Sequence, residues 1–205
     1  MSSVDIIFQI VILIFSVVIH EVAHGYAAFM LGDNTAKYEG RLTLNPLKHL
    51  DLFGSVIFPA LLFFMNPGFV MGWAKPVPFN PYNLRNRRWG EAIVAFAGPF
   101  SNIMIAVVFG LLLRFGVLSS SVELLKITSL IVFTNLLLAV FNLVPIPPLD
   151  GSKILFSFLN TGFSQVRMFL ERFGTLFVLF FVFFLWTFVA PIISYLFWLI
   201  TGFVI

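Results

Sequence analysis

Two histidines and a glutamate carry the first chemical signal, in Ile19-His20-Glu21-Val22-Ala23-His24-Gly25. On a helix His20 and His24 lie one turn apart and share a face. Two imidazoles on that face can bind one Zn²⁺, and Glu21 between them can take a proton from water at the metal. The bare His-Glu-x-x-His pattern also arises by chance in soluble proteins, so its setting decides. Phe8 to Val18 is apolar apart from Gln9 and Ser16. A glutamate and two histidines are costly in a membrane helix and mark function there. A pair of satisfied core histidines leaves the adjacent Glu21 unexplained.

A catalytic zinc takes three protein ligands and keeps one position open. The chain has no cysteine, so any metal must use histidine and carboxylate. His49 and Asp51 lie in the first polar loop, and His49 reads as an interfacial loop histidine. Asp150 follows an apolar helix, after Pro145, Pro147 and Pro148. Those prolines unwind the backbone, which at membrane depth is tolerated only when buried in protein or lining a cavity. Asp150 is the stronger third ligand; its competing role is to cap the segment from Gly151.

These residues resemble the site-2 protease family of intramembrane metalloproteases. The likeness rests on His20-Glu21-Val22-Ala23-His24 together with Asn142-Leu143-Val144-Pro145-Ile146-Pro147-Pro148-Leu149-Asp150-Gly151. It extends from the first helix to about Lys153, with Ser152 where the family more often has glycine. The resemblance implies His20, His24 and Asp150 as ligands of one zinc ion and Glu21 as the base. It implies Asn142 as a polar group near the scissile carbonyl, although a buried membrane asparagine also suits an interhelical hydrogen bond. Ala97-Gly98-Pro99-Phe100-Ser101-Asn102 resembles the family's Gly-x-x-x-Asn element. There Gly98 allows close helix approach, and Asn102 is expected to pack or to contact substrate. A transmembrane protein or peptide is the implied substrate.

The elements that position these residues follow from composition. Of 205 residues, 60% are hydrophobic and 10% charged, against about a quarter charged in soluble domains. The chain reads as one all-α polytopic membrane domain over residues 1–205, embedded in a lipid bilayer. A three-helix catalytic core (residues 4–153) carries a re-entrant hairpin, and further helices follow over about 153–205. The net charge of +3 bears on orientation rather than on nucleic acid, which is not an expected partner. Apolar helices are predicted over about Val4–Leu31, Glu91–Phe115 and Glu123–Val144. Lys37 to Leu44 alternates as a short strand would. Gly72 to Pro81 is proline-rich and extended. It reads either as a strand edge for an unwound substrate or as a rigid interfacial loop.

The shared metal makes a topological demand. His20, His24 and Asp150 all lie toward the C-terminal ends of their helices, so those helices must run parallel. The helix bearing Asn102 then runs antiparallel between them, and residues 32–90 begin and end on one side. The apolar stretch of residues 53–73 is too short to cross twice, at ~20 residues per crossing. A re-entrant hairpin turning at Asn66-Pro67-Gly68 satisfies the demand. It places Lys37, Arg41, Lys48, Lys75, Arg85, Arg87, Arg88, Lys153, Arg167 and Arg172 on one side, and Arg114 and Lys126 on the other. The positive-inside rule makes the first side cytoplasmic. The metal then lies nearer the cytoplasmic face, most simply of the cell membrane.

Two other functions use the same ligands. A metal transporter needs more ionisable residues along a path to the far face, and the outer helix halves offer almost none. A non-catalytic scaffold with a retained metal site has no use for Glu21 as a base.

Overall fold

The computed structural model describes residues 3–57, 74–117, 121–159 and 164–203. Helix α1 spans Ser3–Met30. It stops at Gly32, whose φ of 106° lies in the left-handed region that side chains disfavour. Asp33 then takes over the local hydrogen bonding. Its Oδ1 accepts from the Thr35 amide at 3.2 Å and the Thr35 hydroxyl at 2.6 Å. That starts the one-turn helix α2, Thr35–Tyr38.

The strand expected over 37–44 does not form. The Arg41 amide donates back to the Ala36 carbonyl at 2.9 Å, and Gly40 closes the turn at φ 62°. No neighbouring strand is present among the described residues to reward extension. Local capping therefore wins over the alternating pattern.

Two long apolar helices follow, α3 over Gly90–Arg114 and α4 over Val122–Asn142. Contacts set their directions relative to α1. Asn102 meets His20 and the Val94 carbonyl meets His24, so α3 runs antiparallel to α1. Asn135 meets Ser16, while Asp150, beyond the end of α4, meets His20, so α4 runs parallel to α1. The predicted arrangement of the three core helices is the one observed. Ile6–Met30, Gly90–Arg114 and Val122–Asn142 are each long and apolar enough to cross a membrane. At 25 residues, α3 reaches about 37 Å, more than a hydrocarbon core of about 30 Å.

After the proline loop come α5 (Asp150–Phe158), α6 (Ser164–Phe180), a π-helical segment (Phe181–Leu185) and α7 (Trp186–Thr201). Ser164–Phe184 and Thr187–Thr201 are bent 71° from one another and together have the length and composition of a fourth crossing. At one end of the bundle, Ala106, Leu113, Val132, Leu136, Ile193 and Phe197 form an apolar core between α3, α4 and α7. The polar layer of Ser16, Asn102 and Asn135 adjoins this core, and the cluster of His20, His24 and Asp150 lies beyond it. Burial in lipid leaves the outward Phe183, Phe184 and Phe188 without a solvent cost, which explains so apolar a surface.

The re-entrant hairpin expected over 53–73 falls outside the described residues from 58 to 73. Its flanks are described. The Lys75 amide donates to the His49 carbonyl at 2.9 Å, and the Arg85 amide donates to the Leu31 carbonyl at 2.9 Å. The Arg41 guanidinium fastens both flanks, donating to the carbonyls of Lys48, Lys75 and Pro76. Gly25 makes room for this layer, since a Cβ there would lie 2.6 Å from Leu42 Cδ2 and 2.9 Å from Val77 Cγ1.

Candidate metal centre

Ser16, His20 and His24 recur at a spacing of four, so one stripe of α1 faces inward. All three are buried, as is Asp150. His24 Nδ1 lies 2.7 Å from the Val94 carbonyl, which can only accept, so Nδ1 carries the proton and Nε2 presents a lone pair. His20 Nδ1 lies 2.6 Å from Asn102 Oδ1, which has the same effect on its Nε2. The two Nε2 atoms are 3.0 Å apart. Asp150 Oδ2 stands 3.1 Å from His20 Nε2 and 3.2 Å from His24 Nε2.

With both Nδ1 atoms protonated, three acceptors converge with no hydrogen between them. Such an arrangement is repulsive unless a cation joins it. The spacing fits a metal: tetrahedral N and O ligands at about 2.0–2.1 Å stand about 3.3 Å apart. His20, His24 and Asp150 are the one group of this kind among the described residues.

Gly98 faces the same point from α3. A Cβ there would lie 2.6 Å from His20 Nε2 and would also strike Nε2 and Cε1 of His24. Gly98 therefore faces the ligand atoms themselves, a tighter role than helix packing alone. Asp150 opens α5 rather than capping it from outside, and its carboxylate turns to the histidines. Gly151 permits this approach, because a Cβ there would meet the Leu143 and Val144 carbonyls at the end of α4. Lys153 Nζ, 3.8 Å from Asp150 Oδ1, balances the second carboxylate oxygen.

Glu21 is half-buried beside His20, and its Oε2 accepts from the Val77 amide at 2.8 Å. The Lys75 amide and carbonyl, the Pro76 carbonyl and the Val77 amide are thus bonded to His49, Arg41 and Glu21. These bonds favour the rigid-loop reading of that stretch over a free strand edge. Asn142 stands outside the ligand cluster, with its Nδ2 donating to the Leu138 carbonyl at 3.0 Å. His49 is also outside it: it is buried within the loop layer, and its Nε2 meets the Thr43 carbonyl at 2.8 Å. Asp51 caps a turn by accepting from the Gly54 amide. Asp33 anchors the far edge of the loop layer, accepting from the Asn80 amide and from Asn83 Nδ2. Burial alone would raise its carboxyl, but the hydrogen bonds from Thr35, Asn83 and Asn80 outweigh that and hold it below the ordinary carboxylate range.

Sequence reasoning missed Asn135 and the structural role of Ser16. Both are polar residues in apolar helices, the signal that picked out His20 and Glu21.

Comparison with known proteins now has a geometry to meet. The family model described as "Peptidase family M50" matches residues 117–186, which hold Asp150 but not the histidines. The Bacillus subtilis protein named "Putative zinc metalloprotease YwhC" is 37% identical over 198 residues, covering 93% of this chain and 84% of its own. "Putative zinc metalloprotease Rip2" of Mycolicibacterium smegmatis is 30% identical over 169 residues, covering 80% of this chain and 61% of its own. No solved structure matches the chain. A membrane-spanning helical bundle with a buried His-His-Asp cluster and an adjacent glutamate is the frame of a membrane metallopeptidase. The chain belongs to peptidase family M50, the family of site-2 proteases.

Proposed function

We propose that this protein is a zinc-dependent endopeptidase that cuts transmembrane proteins or peptides within or beside their membrane segments, using one zinc ion per chain. The observation that carries the reading is the convergence of His20 Nε2, His24 Nε2 and Asp150 Oδ2, with Glu21 next to His20 on the same helix. Zinc, when bound, lowers the pKa of a water from about 15.7 to about 7 and polarises the scissile carbonyl. Glu21 receives the proton of the attacking water and later delivers it to the leaving amine. The Val77 amide holds one Glu21 oxygen and leaves the other for that exchange. Asn142 uses one amide hydrogen on Leu138; the second can donate to the developing oxyanion, a contribution of about 3 kcal/mol.

Neither alternative function gains support. A scaffold has no use for a carboxylate held at the ligand cluster, and a transporter needs an ionisable path along the bundle. Beyond the Asn102–Asn135 layer the bundle is instead the apolar core of α3, α4 and α7. The test is cleavage of a purified membrane-helix substrate. Stripping the metal with a chelator should stop cleavage, and added zinc should restore it. Asp150→Ala should lose both zinc and cleavage, whereas His49→Ala should keep zinc bound. Normal zinc in Asp150→Ala and loss in His49→Ala would reverse the ligand assignment.

The same reading places the centre nearer the cytoplasmic face of the cell membrane, with residues 53–73 re-entrant. The bond between Lys75 and His49 supports this, because a single crossing separates its ends by about 30 Å. Lys48 and Arg87 are exposed on the two sides of that stretch, and the chain is free of cysteine. A single cysteine at either position should therefore be protected from an impermeant reagent in intact cells and labelled after permeabilisation. Labelling of only one position in intact cells would exclude the re-entrant path.

A further inference from the structure

We infer that Asn135 is a positioning residue that sets the metal-binding tautomer of His20 through Asn102. The inference rests on the metallopeptidase reading and adds a residue from a third helix to its machinery.

Asn135 Nδ2 lies 2.9 Å from the Ile131 carbonyl and 3.0 Å from Ser16 Oγ. A carbonyl oxygen can only accept, so the Asn135 side chain must turn its NH₂ toward Ile131. Its Oδ1 then faces Asn102, and accepts from Asn102 Nδ2 at 2.8 Å. The Asn102 NH₂ also donates to the Ser16 carbonyl at 3.2 Å. With both amide hydrogens committed, Asn102 has only Oδ1 left for His20, at 2.6 Å from Nδ1. His20 must donate from Nδ1, and its lone pair lies on Nε2, facing His24 and Asp150.

Turning either amide over breaks the series. A reversed Asn102 would present hydrogens to Nδ1, moving the imidazole proton to Nε2, where it would occupy the coordination site. The protein interior offers no water to repair the mismatch, because Asn102 and Asn135 are both fully buried. His24 needs no such relay, since the Val94 carbonyl fixes it directly. The relay joins α1, α3 and α4 in one polar layer, four residues below the histidine that it serves.

The test uses the purified full-length chain in detergent, with zinc affinity read by competition against a chelating dye and folding read by thermal melting. Asn135→Leu should weaken zinc about tenfold or more, the range of outer-shell partners of metal-bound histidines. In an Asn102→Leu background, Asn135→Leu should add nothing, because its route to His20 is already cut. If the Leu variant fails to fold, Asn135→Ala replaces it. Unchanged affinity in Asn135→Leu or full additivity with Asn102→Leu would overturn the relay. A wild-type protein that binds no zinc at His20, His24 and Asp150 would overturn the metallopeptidase reading itself, and the relay with it.

Discussion

Gly98→Ala should abolish zinc binding, and proteolysis with it, in a protein that still folds. The added Cβ would stand 2.6 Å from His20 Nε2 and against the imidazole of His24, closer than carbon approaches nitrogen without bonding. It would occupy the space on which the three ligand atoms converge. The neighbours cannot yield cheaply. His20 is held by Asn102 and His24 by Val94, so a displaced ring would lose a buried hydrogen bond of about 1 kcal/mol or more. The helix itself gains, since alanine is favoured over glycine by about 1 kcal/mol in a helix interior. Stability and metal affinity should therefore separate. Melting temperature should fall only modestly, because the helix gain offsets part of the clash, while zinc affinity falls by more than roughly a hundredfold, beyond the usual loss from an outer-shell change. Metal analysis of the purified variant decides it. A full complement of zinc in Gly98→Ala would show that the metal lies elsewhere.

Glu21→Gln should lower turnover by about 10²–10⁴-fold while zinc stays bound. Glutamine keeps the size of the side chain, and its carbonyl oxygen can still accept from the Val77 amide, so the loop over the site keeps its anchor. It cannot accept a proton. On a helix Glu21 points about 100° away from His20, so it leaves coordination to His20, His24 and Asp150. Zinc content and cleavage must be measured on the same preparation. Turnover like that of the wild type, with zinc present, would remove Glu21 as the base. Loss of zinc would instead make Glu21 a fourth ligand and contradict the three-ligand centre.

The two histidines and Glu21 were legible because helical periodicity and the cost of burying charge both act within one turn of sequence. Asp150 needed more: three prolines marked an unwound segment, and the metal's demand for a third ligand selected the carboxylate beyond it. The parallel run of α1 and α4 followed from those ligands alone. What sequence could not supply are partners that belong to the main chain. The Val94 carbonyl and the Val77 amide exist at every residue, and only the fold selects them. Asn135 was legible in principle, as an amide inside an apolar helix, but its partners lie 33 and 119 residues away. The alternation over 37–44 misled because Asp33 and Gly40 impose a turn that no strand partner among the described residues opposes. Gly98 was read as a close-packing glycine. That the near neighbours are metal-facing nitrogens is a matter of helix rotation, which composition does not encode.

The distance along the chain between the ligands also orders events during synthesis. His20 and Asp150 are separated by 130 residues. At about 5–20 residues per second, the ribosome delivers the aspartate about 6–26 seconds after the first histidine. Throughout that interval α1 lacks Asn102, then Asn135, then Asp150, in the order in which translation supplies them. The nascent chain in the membrane thus holds at most a two-histidine fragment of the centre. A polypeptide interrupted before its proline loop carries Glu21 without the full cluster of His20, His24 and Asp150, so an unfinished copy lacks the candidate centre that the proposed cleavage requires.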